Sequence, residues 1–173
     1  MHRVVLLLGS LILLGACAGV DFKPSSTEAR LLDVLSRRLT ISREVAWIKY
    51  LDGLPVRDPQ REAAVLADMT SRAAAQGVNP AAAQKFFAAQ IAASCAEQER
   101  WIRLWKHGAP LPSYAPRDLR TAVRAEIDAM NADLLDALTQ VRLPQPGLRA
   151  FAERTLRREG FSPRAGALAS APL

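Results

Sequence analysis

The 173-residue chain contains few of the residues from which metal centres and disulfide bonds are built. Its only cysteines are Cys17 and Cys95, and its only histidines are His2 and His107. A zinc site needs several Cys or His ligands at short spacing, so a site of this kind is excluded. If Cys17 is lost or modified in processing, Cys95 has no partner for an intrachain disulfide.

Aromatic residues are also scarce, at 6% of the chain. The formal charge of +6 and a pI near 10.0 favour anionic partners, such as nucleic acid, anionic lipid or a small acidic substrate. Nucleic-acid-binding surfaces usually combine basic residues with aromatic ones. The basic cluster Arg154, Arg157 and Arg158 has no aromatic platform, which favours a solvated helix face over a nucleic-acid partner.

Half of the chain is hydrophobic, and alanine and leucine dominate. These residues form helices readily, and no stretch alternates as a strand would, so an all-α helical bundle is predicted. Start and stop signals divide the chain into about five helices. Ser25 with Glu28 has the spacing of a capping box, and Asp58-Pro59 and Asn79-Pro80 are typical helix starts. The predicted helices span about 25–52, 58–77, 79–106, 117–142 and 146–159, within a domain over 27–160.

The first residues have the pattern of an export signal. A basic start precedes an apolar run over 4–14 that is too short to anchor stably in a bilayer. Leu14 to Cys17 resembles a bacterial lipobox, in which Cys17 would carry lipid, whereas Ala16 to Ala18 also fits ordinary cleavage. The sequence therefore predicts a signal peptide over 1–17, a polar tether over 18–26 and a flexible tail over 161–173.

Several charged and polar residues share helix faces with apolar ones. Arg38 and Lys49 are eleven residues apart, close to three full turns, so they lie on one face of the first helix. Ser94 and Gln98 are one turn apart on the third helix. Each of these residues taken alone is explained as well by a solvated or structural role.

Their combined spacing resembles the all-helical chorismate mutases, and within them the exported, periplasmic class. The steps from Arg38 to Lys49, from Lys49 to Arg61 and from Arg61 to Ser94 fit that family without a gap. The resemblance covers about 28–131 and rests on five stretches: 38–49, Leu54-Pro55-Val56, 58–62, 90–106, and Arg124 to Asn131.

The resemblance implies an enzyme that rearranges the dianion chorismate to prephenate without a metal or cofactor. Arg38 is expected to bind a substrate carboxylate. Lys49 is expected to reach both a carboxylate and the ether oxygen whose bond breaks, and Gln98 to donate a second hydrogen bond to that oxygen. Ser94 is expected to make a minor carboxylate contact.

The remaining implied site residues come from the second and fourth helices. Asp58 and Glu62 are expected around the ring hydroxyl, and their region also positions Arg61, which binds substrate. Arg124 is expected to complete the site within one chain, although the variable connector before it leaves Arg120 as an alternative. Resemblance also implies a homodimer.

Some exported relatives carry Glu at the position of Gln98, and a Glu must be protonated before it can donate. Gln98 therefore predicts activity over a broad range of pH near neutrality. The competing interpretation is a non-catalytic envelope lipoprotein that acts as a scaffold or binding module. That interpretation explains the signal and the alanine-rich helices but not the register of Arg38, Lys49, Arg61 and Gln98.

Overall fold

The computed structural model describes residues 22–173, so the expected signal peptide and Cys17 lie outside the described residues. The described part of the chain contains helices and no strand. The six α-helices are α1 (Ser26–Leu51), α2 (Pro59–Ala75), α3 (Pro80–Lys106), α4 (Arg124–Leu138), α5 (Pro146–Arg158) and α6 (Pro163–Ser170). Between residues 22 and 173, no helix combines the length and the apolarity that crossing a bilayer requires.

The first three helices begin and end at the signals in the sequence. The Ser25 hydroxyl accepts a hydrogen bond from the Glu28 N–H, and the Glu28 carboxylate accepts from the Ser25 N–H, which completes the capping box. Asp58 and Asn79 cap α2 and α3, each followed by proline at the first helical position. Gly53 and Gly77 adopt positive φ angles of 65° and 74° just beyond α1 and α2, where a side chain would be strained.

The fourth helix is shorter than expected at both ends. A π-helical turn, Leu119–Val123, precedes α4 and is capped by the Asp118 carboxylate, which accepts from the Thr121 N–H. At the other end the Thr139 hydroxyl donates to the Asp136 carbonyl, and the chain then turns so that Val141 enters the core. The helix expected to reach Arg142 therefore ends at Leu138.

The segment 161–173, expected as a flexible tail, contains the short helix α6, which makes six α-helices in the described residues where about five were expected. Ser162 caps α6 by accepting from the Ala165 N–H, and Pro163 opens the helix. The alanines that suggested a loose segment are small enough for close helix packing, and Ala165 and Ala169 are fully buried. Leu173 is buried as well, so the packed unit extends beyond residue 160.

The last part of the expected tether is also packed against the bundle. Phe22 lies on the core with its ring centroid 6.0 Å from that of Phe151. Only residues 22–25 of the tether precede α1 within the described range.

Three apolar clusters hold the helices together. The largest joins α1, α2, α3, α4 and α5 through residues such as Leu35, Phe87 and Leu134. A second cluster joins α1, α3, α5 and α6 through Leu39, Leu156 and four alanines. A third surrounds Trp47 and Trp105 near the end of α1. The first two clusters fix α1 and α3 side by side, and the functional pocket opens along these two helices.

Candidate active site

A pocket of about 110 Å³, partly open to solvent, lies among α1, α2, α3 and the π-helical turn before α4. Apolar side chains such as Val45, Val65 and Ile91 form much of its wall. The eight residues expected at a substrate site from the sequence all line this one pocket: Arg38, Lys49, Asp58, Arg61, Glu62, Ser94, Gln98 and Arg124.

Arg38 lies at the buried wall of the pocket and is only 5% exposed. Its guanidinium donates to the Asn131 Oδ1 at 3.1 Å, the Gln90 carbonyl at 2.8 Å and the Ser94 Oγ at 2.6 Å. Burial disfavours the charged form and lowers the pKa of Arg38 to about 10, so the side chain is still protonated near neutral pH. Contacts from two helices therefore fix a buried cation at the pocket wall before any ligand is present.

Lys49 lies farther along the same face of α1 and is half-buried. Its Nζ donates to the Val56 carbonyl at 2.5 Å, in the loop between α1 and α2. Burial also lowers the pKa of Lys49 below its usual value of 10.5. The ammonium has further donor hydrogens for a ligand, since the carbonyl uses one of its three.

Gln98 lines the pocket from α3 and is 6% exposed. Its Oε1 is buried and has no hydrogen-bond partner within residues 22–173. A buried amide oxygen without a partner costs free energy that a bound ligand or an ordered water can recover. The side chain therefore has unused hydrogen-bonding capacity at the pocket.

The mouth of the pocket is formed by ion pairs between side chains of α2, α4 and the loop before α2. Arg124 donates to the Asp58 carboxylate at 3.1 Å. Arg61 donates to both carboxylate oxygens of Asp128, at 2.6 and 2.7 Å.

Glu62 is paired as well, and accepts two hydrogen bonds from Arg57, at 2.7 and 2.5 Å. These bonds lower the pKa of the Glu62 carboxyl, which is ionised near neutral pH. Arg120, the alternative to Arg124, does not line the pocket but lines an adjoining surface cavity, which shares Lys49, Asp58 and Arg124 with it.

The charges around the pocket fit a small anion. Arg38, Lys49, Arg61 and Arg124 are cationic, against the acidic Asp58 and Glu62. In residues 22–173, no group of three or more His, Cys, Asp or Glu side chains is placed to hold a metal ion.

Known proteins share both the sequence and the shape of this chain. Residues 26–99 match the family model of chorismate mutase type II. The secreted chorismate mutase of Mycolicibacterium smegmatis is 30% identical over 135 residues, which cover 75% of this chain and 74% of the relative. This chain belongs to the chorismate mutase family.

Two further similarities place it within that family. The solved chorismate mutase of Burkholderia thailandensis superposes with a TM-score of 0.74 at 32% identity, over 85% of this chain and 97% of that one. The 4-amino-4-deoxychorismate mutase of Streptomyces pristinaespiralis is 31% identical over 98 residues, which are 57% of this chain and 76% of the relative. Membership identifies the chain as an isomerase and favours catalysis over the envelope scaffold.

Three residues that contact the site of this chorismate mutase were not among the site residues predicted from the sequence. Asn131 and the Gln90 carbonyl hold the Arg38 guanidinium, and Arg57 pairs with Glu62. Asn131 is a polar residue on a largely buried face of α4, which is a usable signal in the sequence. The Gln90 contact is made by its backbone, so its residue type gave no indication of it.

Proposed function

We propose that this chain converts chorismate to prephenate in the pocket between α1, α2 and α3. The observation that carries the proposal is the convergence of four cationic side chains and the Gln98 amide on one pocket, at the positions expected from the family resemblance. Chorismate carries two carboxylates and an enolpyruvyl ether, so a cationic pocket with a separate amide donor is complementary to it.

The rearrangement is pericyclic and requires neither a nucleophile nor a general base. The protein must hold the flexible substrate in the compact conformer in which the reacting carbons approach. It must also stabilise the negative charge that grows on the ether oxygen as the carbon–oxygen bond lengthens. Fixed donors perform both tasks without a change in their own protonation.

The buried wall of the pocket supports specific roles for three residues. Arg38, held by three protein acceptors, binds one substrate carboxylate, with Ser94 as a minor second contact. Lys49 donates to a carboxylate and to the ether oxygen. Gln98 donates its amide N–H to the same ether oxygen, which requires no change of charge.

The mouth of the pocket supplies the remaining contacts. Arg61 and Arg124 bind substrate carboxylate once they release Asp128 and Asp58, their partners in the unliganded protein. Asp58 and Glu62 accept hydrogen bonds from the ring hydroxyl and position the first turn of α2.

The test is to purify the chain from Ala18 onward and to follow loss of chorismate absorbance and formation of prephenate. We expect turnover in the unmodified chain and a loss on the order of 10²–10³-fold in Lys49→Ala, because one transition-state donor is removed. Lys85→Ala, which removes an exposed lysine elsewhere on α3, is the matched control. A well-folded helical protein that leaves chorismate unchanged would refute the enzyme assignment.

The substrate can be tested against its amino analogue, because one relative is named for 4-amino-4-deoxychorismate. We expect a higher kcat/KM for chorismate in parallel assays. A reversed preference would assign Asp58 and Glu62 to an amine rather than to a hydroxyl.

We further propose export, lipid attachment at Cys17 and a homodimer. The apolar run and the lipobox pattern of the sequence support export, as does a relative named as secreted. Membrane association of the full chain, lost in Cys17→Ser with export retained, would support the lipid anchor.

The molar mass in solution tests the homodimer. All eight proposed site residues line one pocket of a single chain.

A further inference from the structure

The side of α3 opposite the pocket is covered by α6. The buried apolar residues of the two helices at this contact are alanines, Ala93 and Ala96 on α3 and Ala165 and Ala169 on α6, and larger side chains such as Leu156 pack around them. Short alanine side chains allow the helices to approach closely. They form shallow ridges and grooves, so they fix the position of one helix along the other only weakly. The axial position of α3 therefore depends on other, directional contacts.

Two buried polar residues of α3 supply these contacts, one at each end of α6. Gln90 is 1% exposed, and its Nε2 donates to the Ala169 carbonyl at 2.8 Å, near the last turn of α6. Glu97 is also 1% exposed, and its Oε2 accepts from the Ser162 N–H at 3.2 Å, at the start of α6. Gln90 and Glu97 are about two turns apart on the same face of α3.

Burial of the Glu97 carboxylate costs desolvation free energy, so its position in the helix contact requires a compensating interaction. A buried carboxylate is tolerated only when it is paired, and here Arg100 donates to its Oε1 at 2.7 Å. The buried residues of α3 and α6 in the surrounding apolar cluster are alanines, and an alanine at position 97 would be buried with a smaller free-energy penalty. Hydrogen bonds at both ends of α6 fix the helix register, which apolar packing alone does not.

The same turns of α3 carry groups that line the pocket. The Gln90 carbonyl accepts from the Arg38 Nη1 at 2.8 Å, and Gln98 follows Glu97 directly in the chain. A shift of α3 relative to α6 would therefore move the acceptor that orients Arg38, and the amide that faces the ligand.

We propose that α6 braces α3 and that Gln90 and Glu97 are positioning residues for the reaction, an inference that rests on the proposed function. Gln90 acts through Arg38, and Glu97 acts through Gln98. Because Arg38 binds a carboxylate in substrate and transition state alike, whereas Gln98 acts on the breaking bond, the two variants have different kinetic effects.

The test compares Gln90→Met and Glu97→Met, which keep side-chain length and lose the hydrogen bonds. We expect Gln90→Met to raise KM about tenfold with little change in kcat, and Glu97→Met to lower kcat about tenfold, since small displacements of catalytic groups have effects of this size. Glu97→Gln retains an acceptor for the Ser162 N–H and is expected to restore kcat to within about threefold of the unmodified protein.

Leu156→Val is the matched control for a general loss of packing. Leu156 belongs to the apolar cluster around α6 but makes no polar contact with α3. At temperatures well below its unfolding midpoint this variant is expected to keep both kcat and KM. Unchanged kinetics in folded Gln90→Met and Glu97→Met, with the parent enzyme active, would overturn the brace and leave the proposed function intact.

A measurement on the unmodified protein covers the case in which the variants do not fold. Coupling between two sites is reciprocal, so a ligand that fixes Arg38 and Gln98 must also stabilise α6. We expect saturating prephenate to slow amide hydrogen exchange over residues 163–170 as well as at the pocket. Protection at the pocket with unchanged exchange in α6 would contradict the proposal.

Discussion

Arg38 and Arg124 line the same pocket but are held in different ways. Arg38 is 5% exposed and donates to neutral acceptors on α3 and α4. The Arg124 side chain is 31% exposed and is paired with Asp58, whose side chain is 42% exposed. Arg61 is held like Arg124, through the half-exposed carboxylate of Asp128.

The pocket therefore has a preorganised wall around Arg38 and a mouth at which the arginines must exchange protein carboxylates for substrate carboxylates. The three groups that accept hydrogen bonds from Arg38 carry no formal charge, so no bound carboxylate has to leave before Arg38 can pair with a substrate carboxylate. A substrate carboxylate that binds Arg124 or Arg61 must instead replace a protein carboxylate, and the two interactions largely offset each other. Most of the discrimination for the dianion should therefore come from the wall formed by α1 and α3.

The largest expected effect is that of Arg38→Met. Loss of a buried, fully oriented cation should lower kcat/KM roughly 100- to 1,000-fold. The thermal midpoint should move by no more than about 5 °C, since an orphaned Asn131 is offset by the removal of a buried charge.

The matched control for Arg38→Met is Arg37→Met, which changes the exposed neighbour. Steady-state kinetics with chorismate and thermal unfolding of both variants provide the comparison. Near-normal kcat/KM in folded Arg38→Met would show that Arg38 does not bind a substrate carboxylate in the reaction.

Gln98→Glu should have an intermediate effect that depends on pH. A Glu donates a hydrogen bond only when protonated, so kcat/KM should fall about 100-fold near neutral pH and recover as the pH is lowered. The unmodified enzyme should be flat around neutrality. It should lose activity on the alkaline side below the usual lysine pKa of 10.5, because burial lowers the pKa of Lys49.

Profiles of kcat/KM against pH for Gln98→Glu, Gln98→Leu and the parent enzyme test this dependence. Gln98→Leu should be slow at every pH, because it has no donor in any protonation state. A flat profile for Gln98→Glu would show that position 98 does not donate to the ether oxygen.

The sequence predicted the helices with strong caps and the residues of the wall. Asp58-Pro59 and Asn79-Pro80 set the starts of α2 and α3 through local hydrogen bonds, which depend only on neighbouring residues. Helical periodicity places Arg38 and Lys49 on one face of α1, and Ser94 and Gln98 on one face of α3. That these two faces form one site was implied by the family resemblance.

The structure departs from the predictions made from the sequence where contacts between residues far apart in the chain determine it. The composition of 161–173 is typical of a flexible tail, and α6 is ordered because Ala165 and Ala169 fit against α3. The ion pair between Arg61 and Asp128 joins residues that are far apart in the chain, and no local pattern indicates it. The choice between Arg124 and Arg120 also depended on the path of the connector, which includes a π-helical turn.

The smallest expected effect is at the mouth, where Arg124→Ala can be compared with Arg120→Ala. Arg124 lines the pocket and Arg120 only the neighbouring cavity, although the two lie one turn apart. A hydrogen bond to a charged group is worth about 1.5–3 kcal/mol, and the lost ion pair with Asp58 offsets part of it, so Arg124→Ala should raise KM about tenfold. Arg120→Ala should stay within about threefold of the parent enzyme, because the interaction of an exposed charge with the substrate is screened by solvent and salt.

Kinetics at low and high salt distinguish a contact from a distant charge, since only the effect of Arg120→Ala should disappear as salt is added. The opposite order of the two variants would assign the site arginine to Arg120 and require the turn before α4 to rearrange when substrate binds.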